Sequence, residues 1–216
     1  MFAQPAASVV LPLPGYSFNA HISSPAAVQL RPKTERTQTP TPPSFSIRAA
    51  TVQDAPAIAE LGATVFSTTF GFSIPTPDLN TYLDEAYSAS AIEKGILAPS
   101  THIIVACANT DNRVIGFAQL TEGTSEPCIA DLERVVELQR LYIYADFQGA
   151  GVGRTLTREV EKMARDRRYR IMWLGVWEGN FKAQRVYEAM GYSRVGEREF
   201  KMGRCIQTGW IMCKDL

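Results

Sequence analysis

Lysine and arginine are missing from two long stretches, residues 1 to 30 and residues 49 to 93. The first gap denies the N-terminus the cationic amphipathic helix of an organelle-targeting peptide, although its Ala, Ser and Pro content and its lack of acids before Glu35 resemble one. The second gap leaves six acids unopposed. Histidine occurs only twice: His21 sits among prolines and His102 opens the apolar run HIIVA, so neither has a partner for metal or catalytic work. The cysteines, Cys107, Cys128, Cys205 and Cys213, lack the paired spacing of a zinc site and any secretory context, and are read as reduced thiols. No apolar run approaches the roughly 18 residues that span a bilayer. Bases alternate with acids on the predicted helix after residue 152, without interleaved aromatics, which speaks against nucleic acid. No metal, no membrane and no nucleic-acid partner are expected.

The remaining composition fits one globular unit with a tail. Hydrophobic residues make up 45% of the 216, enough for a core, but residues 1 to 45 hold eight prolines and no apolar period. They are read as a disordered tail and linker, with a folded domain over 46–216. Strands are predicted at 46–49, 101–108, 113–121, 134–144, 170–176, 193–202 and 206–214. Helices are predicted at 54–70, 76–97, from Val152 onward, and at 181–190 with Asn180 as N-cap. Strands alternating with helices and ending in a hairpin indicate a mixed α/β sheet.

One stretch carries chemistry. QGAGVGRT, residues 148–155, places glycines at 149, 151 and 153, between the apolar strand VVELQRLYI and a helix with Val152, Leu156, Val160 and Met163 on one face. A strand, a glycine turn and a helix N-terminus present unpaired N–H groups and a positive dipole end, which favours an anion such as phosphate; a tight turn without a ligand is the alternative. The spacing is not the G-x-G-x-x-G of dinucleotide folds. Nor does Gly153-Arg154-Thr155 complete a phosphate loop with lysine.

Gln148-x-x-Gly151-x-Gly153, after Leu141-Tyr142-Ile143, resembles the acetyl-CoA-binding motif of the GNAT N-acetyltransferase superfamily. Trp173 to Asn180 (W-L-G-V-W-E-x-N), Phe66-x-x-Thr69-Phe70 and Lys201-Met202-Gly203 are similar to PaiA-like spermidine/spermine N-acetyltransferases, a resemblance covering about residues 46–216. It implies an α/β (α+β) fold: a mixed, mostly antiparallel sheet with a splayed central parallel strand pair, flanked by helices. It implies acetyl-CoA as cosubstrate, with the N–H groups of Gln148, Gly149, Ala150, Gly151, Val152, Gly153 and Arg154 around its pyrophosphate and Thr155 as a further cofactor-binding residue. The main chain of Leu141, Tyr142 and Ile143 would run along the pantetheine arm, and Asn180 would contact CoA. A cytoplasmic enzyme, monomeric or homodimeric, acting on a small-molecule amine is the expected setting.

Amine attack on a thioester needs a base, and the departing thiolate needs a proton. Tyr187 matches the family's proton donor, although it shares an apolar helical stripe with Ala183 and Met190 and a core role is the alternative. Glu137, on the central strand, is the candidate base, with a strand salt bridge as its alternative. For the acceptor, residues 49 to 139 hold twelve acids and three bases, against nine acids and fifteen bases in residues 140 to 216. A cationic acceptor such as a polyamine would be drawn to the acidic half, with Phe70, Asp78, Tyr82, Asp84 and Glu85 as its candidate contacts; solvated helix faces are the alternative. A peptide acceptor, or a CoA-binding homologue without turnover, are the rival readings.

Overall fold

The computed structural model describes residues 7–8, 44–202 and 204–216. The rest of the expected tail, with His21, and Gly203 of the Lys-Met-Gly stretch lie outside the described residues.

Among the described residues eight strands form one sheet: β1 (Ala7–Ser8), β2 (Phe45–Ala49), β3 (Thr101–Ala108), β4 (Val114–Thr121), β5 (Val135–Ile143), β6 (Ile171–Trp177), β7 (Ser193–Met202) and β8 (Cys205–Asp215). The order is β2-β3-β4-β5-β6-β8-β7, with β1 paired to β5 off this path. Along the main path every pairing is antiparallel except β5 with β6. Among the described residues five α-helices accompany it: α1 (Ala55–Phe70), α2 (Thr76–Tyr87), α3 (Ala89–Leu97), α4 (Val152–Asp166) and α5 (Phe181–Ala189). Mixed topology, central parallel pair and flanking helices are those expected.

Alternation sorts the side chains. Ile103, Val105 and Cys107 of β3 pack with α1, α2 and α3, whereas Ile104, Ala106 and Ala108 pack on the face that carries α4 and α5. This is the period-two consequence of a pleated strand covered on both faces. The first core strand begins at Phe45, one residue ahead of its expected start. The single helix expected over 76–97 is two: Ser88 is extended (ψ 150°) and its hydroxyl accepts the N–H of Ala91 at 3.3 Å, capping α3.

Two features of β5 create the site. The parallel pairing with β6 covers only Val135 to Glu137 against Ile171 to Trp173, although both strands run on. Beyond Glu137 they part, and β1 lies in the opening, pairing Ala7 with Arg140 and Ser8 with Leu141. The second feature is a bulge against β4. Leu120 pairs with Leu138 but Gln119 with Arg140, leaving Gln139 as the extra residue. Parity therefore changes within the strand. Val136, Leu138, Leu141 and Ile143 all reach the α4 face, while Tyr142 turns to the opposite one.

Candidate active site

Glu137 stands at the point where the strands separate. Its side chain is 2% exposed, and burial raises its pKa to about 7, against a smaller lowering by the charge of Arg198. Its Oε1 has no hydrogen-bond partner among the described residues. A carboxyl group that is buried, unpartnered on one oxygen and titrating near neutrality has the properties of a general base.

Trp173 lies beside it on β6, its indole N–H buried and unpartnered among the described residues. Arg198 of β7 extends its guanidinium over the rings of Trp173, 5.7 Å from the centroid, and Phe200, 5.1 Å. It is ion-paired with Glu126 through Nη1. Arg140, turned to this face by the bulge, lies 4.8 Å over the Tyr87 ring and donates to Oε1 of Gln119 at 3.2 Å. Tyr87 and Tyr142 share a hydroxyl hydrogen bond of 2.7 Å, and burial raises both pKa values, that of Tyr142 well above the usual phenol range.

The expected acceptor residues divide. Phe70 and Tyr82 are buried in an aromatic group with Phe66, and Phe70 meets Trp177 edge-on at 5.6 Å. The Tyr82 hydroxyl is unpartnered among the described residues, and burial raises its pKa well above the ordinary value. Asp78 is half-buried and its Oδ2 accepts the backbone N–H of Arg204 at 3.3 Å, tying α2 to the β7–β8 turn. Asp84 and Glu85 are exposed.

The glycine turn has the geometry of a ligand cradle. Gln148 donates Nε2 to the carbonyl of Ile143 at 3.2 Å, holding the turn to the strand end. Gly149 and Gly151 have φ of 79° and 87°, a conformation costly for residues with a Cβ. A Cβ added at either would meet no protein atom within 4 Å. Gly153 differs: its Cβ would come 3.2 Å from Cδ1 of Ile143, so that glycine serves helix-on-strand packing. The first intrahelical acceptor is the carbonyl of Gly151, taken by N–H of Thr155 at 3.0 Å; the N–H groups of Val152, Gly153 and Arg154 therefore have no acceptor within the helix. Ala150 is half-buried against the core, and the Arg154 side chain is exposed.

Asn180 caps α5 as expected, its Oδ1 accepting the N–H of Ala183 at 3.1 Å. Tyr187 is fully buried on the α4 face and meets Tyr192 edge-on at 5.6 Å. Tyr187 belongs to the core on the α4 face, whereas Glu137 stands on the opposite face, at the end of the β5–β6 pairing. An open depression of about 470 Å³ between β2 and α4, lined by Arg48, Glu159, Lys162 and Asp166, holds none of these groups.

Sequence reasoning overlooked Arg140, Arg198, Glu126 and the polar role of Trp173. For Arg140 a signal existed, since a charged residue inside the apolar run LQRLYI calls for a partner or a function. Arg198 had none, because the run EREF, residues 197–200, alternates charges in the manner of a solvated strand.

Residues 67–192 match the Acetyltransferase (GNAT) family. An uncharacterised N-acetyltransferase of Lactobacillus delbrueckii subsp. lactis is 26% identical over 164 residues, 76% of this chain and 93% of that protein. N-acetylaspartate synthetase of Danio rerio is 34% identical over 67 residues, 31% of this chain and 24% of that protein. Among solved structures, PaiA N-acetyltransferase from Thermoplasma acidophilum in complex with coenzyme A superimposes with a TM-score of 0.65 at 21% identity, covering 80% of this chain and 99% of that one.

Proposed function

This chain belongs to the GNAT acetyltransferase family, and from that premise we propose that Glu137 deprotonates a primary amine held at the opening between β5 and β6 while Tyr187 protonates the leaving sulfur. The chain is an acetyl-CoA-dependent N-acetyltransferase. The residues present fit the cosubstrate: the left-handed glycines with open space beside them, the free first turn of α4, and a strand edge at Arg140 and Leu141 that accepts an extended partner, as its pairing with β1 illustrates. When bound, acetyl-CoA supplies the activated acetyl thioester.

The chain's own groups then do the following. The N–H groups of Val152, Gly153 and Arg154, with those of the turn from Gly149 to Gly151, hold the pyrophosphate; the backbone N–H of Gln148, expected among them, instead donates to the carbonyl of Ala145 at 3.1 Å. The β5 edge orients the pantetheine so that its carbonyl carbon faces the amine. Glu137 takes one ammonium proton; the amine nitrogen forms its bond to the acetyl carbon as the C–S bond breaks; the phenol of Tyr187 gives its proton to the sulfur, and the second proton shed by the nitrogen as the amide forms restores that phenol through solvent. The single observation that carries this reading is the position of Glu137, a buried carboxyl of raised pKa at the apex of the opening.

The acceptor is a primary amine. A polyamine draws its support from the acidic stretch before Lys94 and from the PaiA-like run Trp173 to Asn180, yet Asp84 and Glu85 are exposed and Asp78 is engaged with Arg204. Their contribution is then a long-range field that concentrates cations, screened by salt. The cytoplasmic setting rests on the unpaired cysteines, and a homodimer stays part of the proposal. Thiol release measured with a panel of amines and acetyl-CoA tests the reading: turnover with at least one amine, lost in Glu137→Gln, is expected, and undiminished turnover in that variant would overturn the assignment of the base.

A further inference from the structure

Arg198 is half-satisfied in a place where that is costly. Its side chain is 10% exposed, and only Nη1 is engaged, by Glu126. Nε and Nη2 are buried and unpartnered among the described residues. These two nitrogens lie on one edge of the guanidinium, where two parallel N–H bonds match the two oxygens of one carboxylate. A buried cationic donor left unmade costs more than an ordinary hydrogen bond contributes, so such groups call for a ligand or a solvent partner.

Its surroundings narrow the choice. The rings of Trp173 and Phe200 flank the guanidinium, and Glu126 fixes it from one side, so the free edge is rigidly presented. The indole N–H of Trp173 adds a third unpartnered buried donor. Across the same rung of the sheet, Oε1 of Glu137 is an unpartnered acceptor. Arg198 is close enough to Glu137 for its charge to act on that carboxyl. Donors for an anion thus stand beside an acceptor for an ammonium group.

We infer that the acceptor is an amine bearing a carboxylate, an amino acid, whose carboxylate is bound by Nε and Nη2 of Arg198 and the indole N–H of Trp173 while its amino group is delivered to Glu137. This rests on the acetyl-transfer reading above and names its acceptor class. The bond changes are those already given: an N–C bond forms, the C–S bond breaks, one nitrogen proton goes to Glu137, Tyr187 gives its proton to the sulfur and is restored by the second nitrogen proton. A polyamine would bring a further cation towards Arg198 and leave its donors unmade.

The test compares paired acceptors on the full chain: lysine with cadaverine, and aspartate and alanine with their amides, by thiol release from acetyl-CoA. The acid member of at least one pair should have a kcat/KM about tenfold or more above its partner, because a site with buried donors rejects an analogue lacking the acceptor. Arg198→Lys, which keeps the charge but not the fork, should shrink that ratio, mainly through KM. Since Glu126 could be stranded in a neutral variant, the pair Arg198→Met with Glu126→Gln is measured alongside, with acetyl-CoA affinity by calorimetry reporting an intact fold; there the ratio should fall to about one. Turnover that is equal or better with cadaverine, spermidine or the amides overturns the inference and leaves the acetyltransferase reading standing. Acetyl-CoA binding without turnover on any amine overturns both.

Discussion

Glu137 faces Trp173 across the last rung at which β5 and β6 pair; beyond that rung the strands part. The carboxyl therefore sits at the apex of the opening, buried between two strands. This one relationship accompanies its burial and its raised pKa, on which the proposed role as base rests.

The pH dependence of Glu137 follows from that placement. The ordinary value is 4.5 and the folded value about 7, so between them the unfolded chain releases a proton that the native state keeps. The protonated carboxyl contributes stability that is full below pH 4.5 and is lost as pH rises through 7. By this group alone stability falls by about 3 kcal/mol between those limits. Glu137→Gln should remove that slope and be the more stable chain at pH 8 in urea titrations. Its turnover should fall by roughly a hundredfold or more, and the rise of kcat/KM through about pH 7 should vanish. A variant that keeps the rise would assign it to another group.

Tyr187→Phe removes one hydroxyl and keeps a ring that is fully buried against Tyr192. Tm should barely move and acetyl-CoA affinity should hold, while kcat falls by about a hundredfold. Normal turnover would make Tyr187 a packing residue.

Gly151 separates strain from ligand space. With φ of 87°, a valine there would be strained by about 1–3 kcal/mol, whereas asparagine tolerates this region. Gly151→Asn should fold with a Tm within a few degrees of the parent and yet bind acetyl-CoA much more weakly, because its side chain enters the open space beside the turn. Undiminished affinity by calorimetry would sink the pyrophosphate assignment.

Removal of residues 1–43 takes β1 away from Arg140 and Leu141, the edge along which the pantetheine is proposed to run. The shortened chain should keep its turnover and show a severalfold lower KM for acetyl-CoA, since no strand then competes for those backbone groups. An inactive or insoluble product would show that β1 is needed for the fold.

The sequence alone determined what is local. Apolar periods of two and of about four, the glycines at 149, 151 and 153, and Asn180 before α5 reflect backbone and capping preferences that act within a few residues. Strand and helix identities and the glycine turn were legible on that account, whereas Tyr187 became a candidate through the resemblance and not through these local preferences. The break at Ser88 was not, because the helix-favouring residues on both sides of it hide a cap. The tertiary structure decided what depends on register. In VVELQRLYI, strict alternation would send Arg140 to the face of Leu138 and into the core beneath α4. The extra residue Gln139 reverses parity and delivers Arg140 to the side of Glu137. Arg198 comes to Trp173 only because β8 and β7 add in antiparallel order beside β6. Such pairings depend on which strands meet and in which phase, and the free energy that selects them is summed over the whole sheet, so no single segment encodes them.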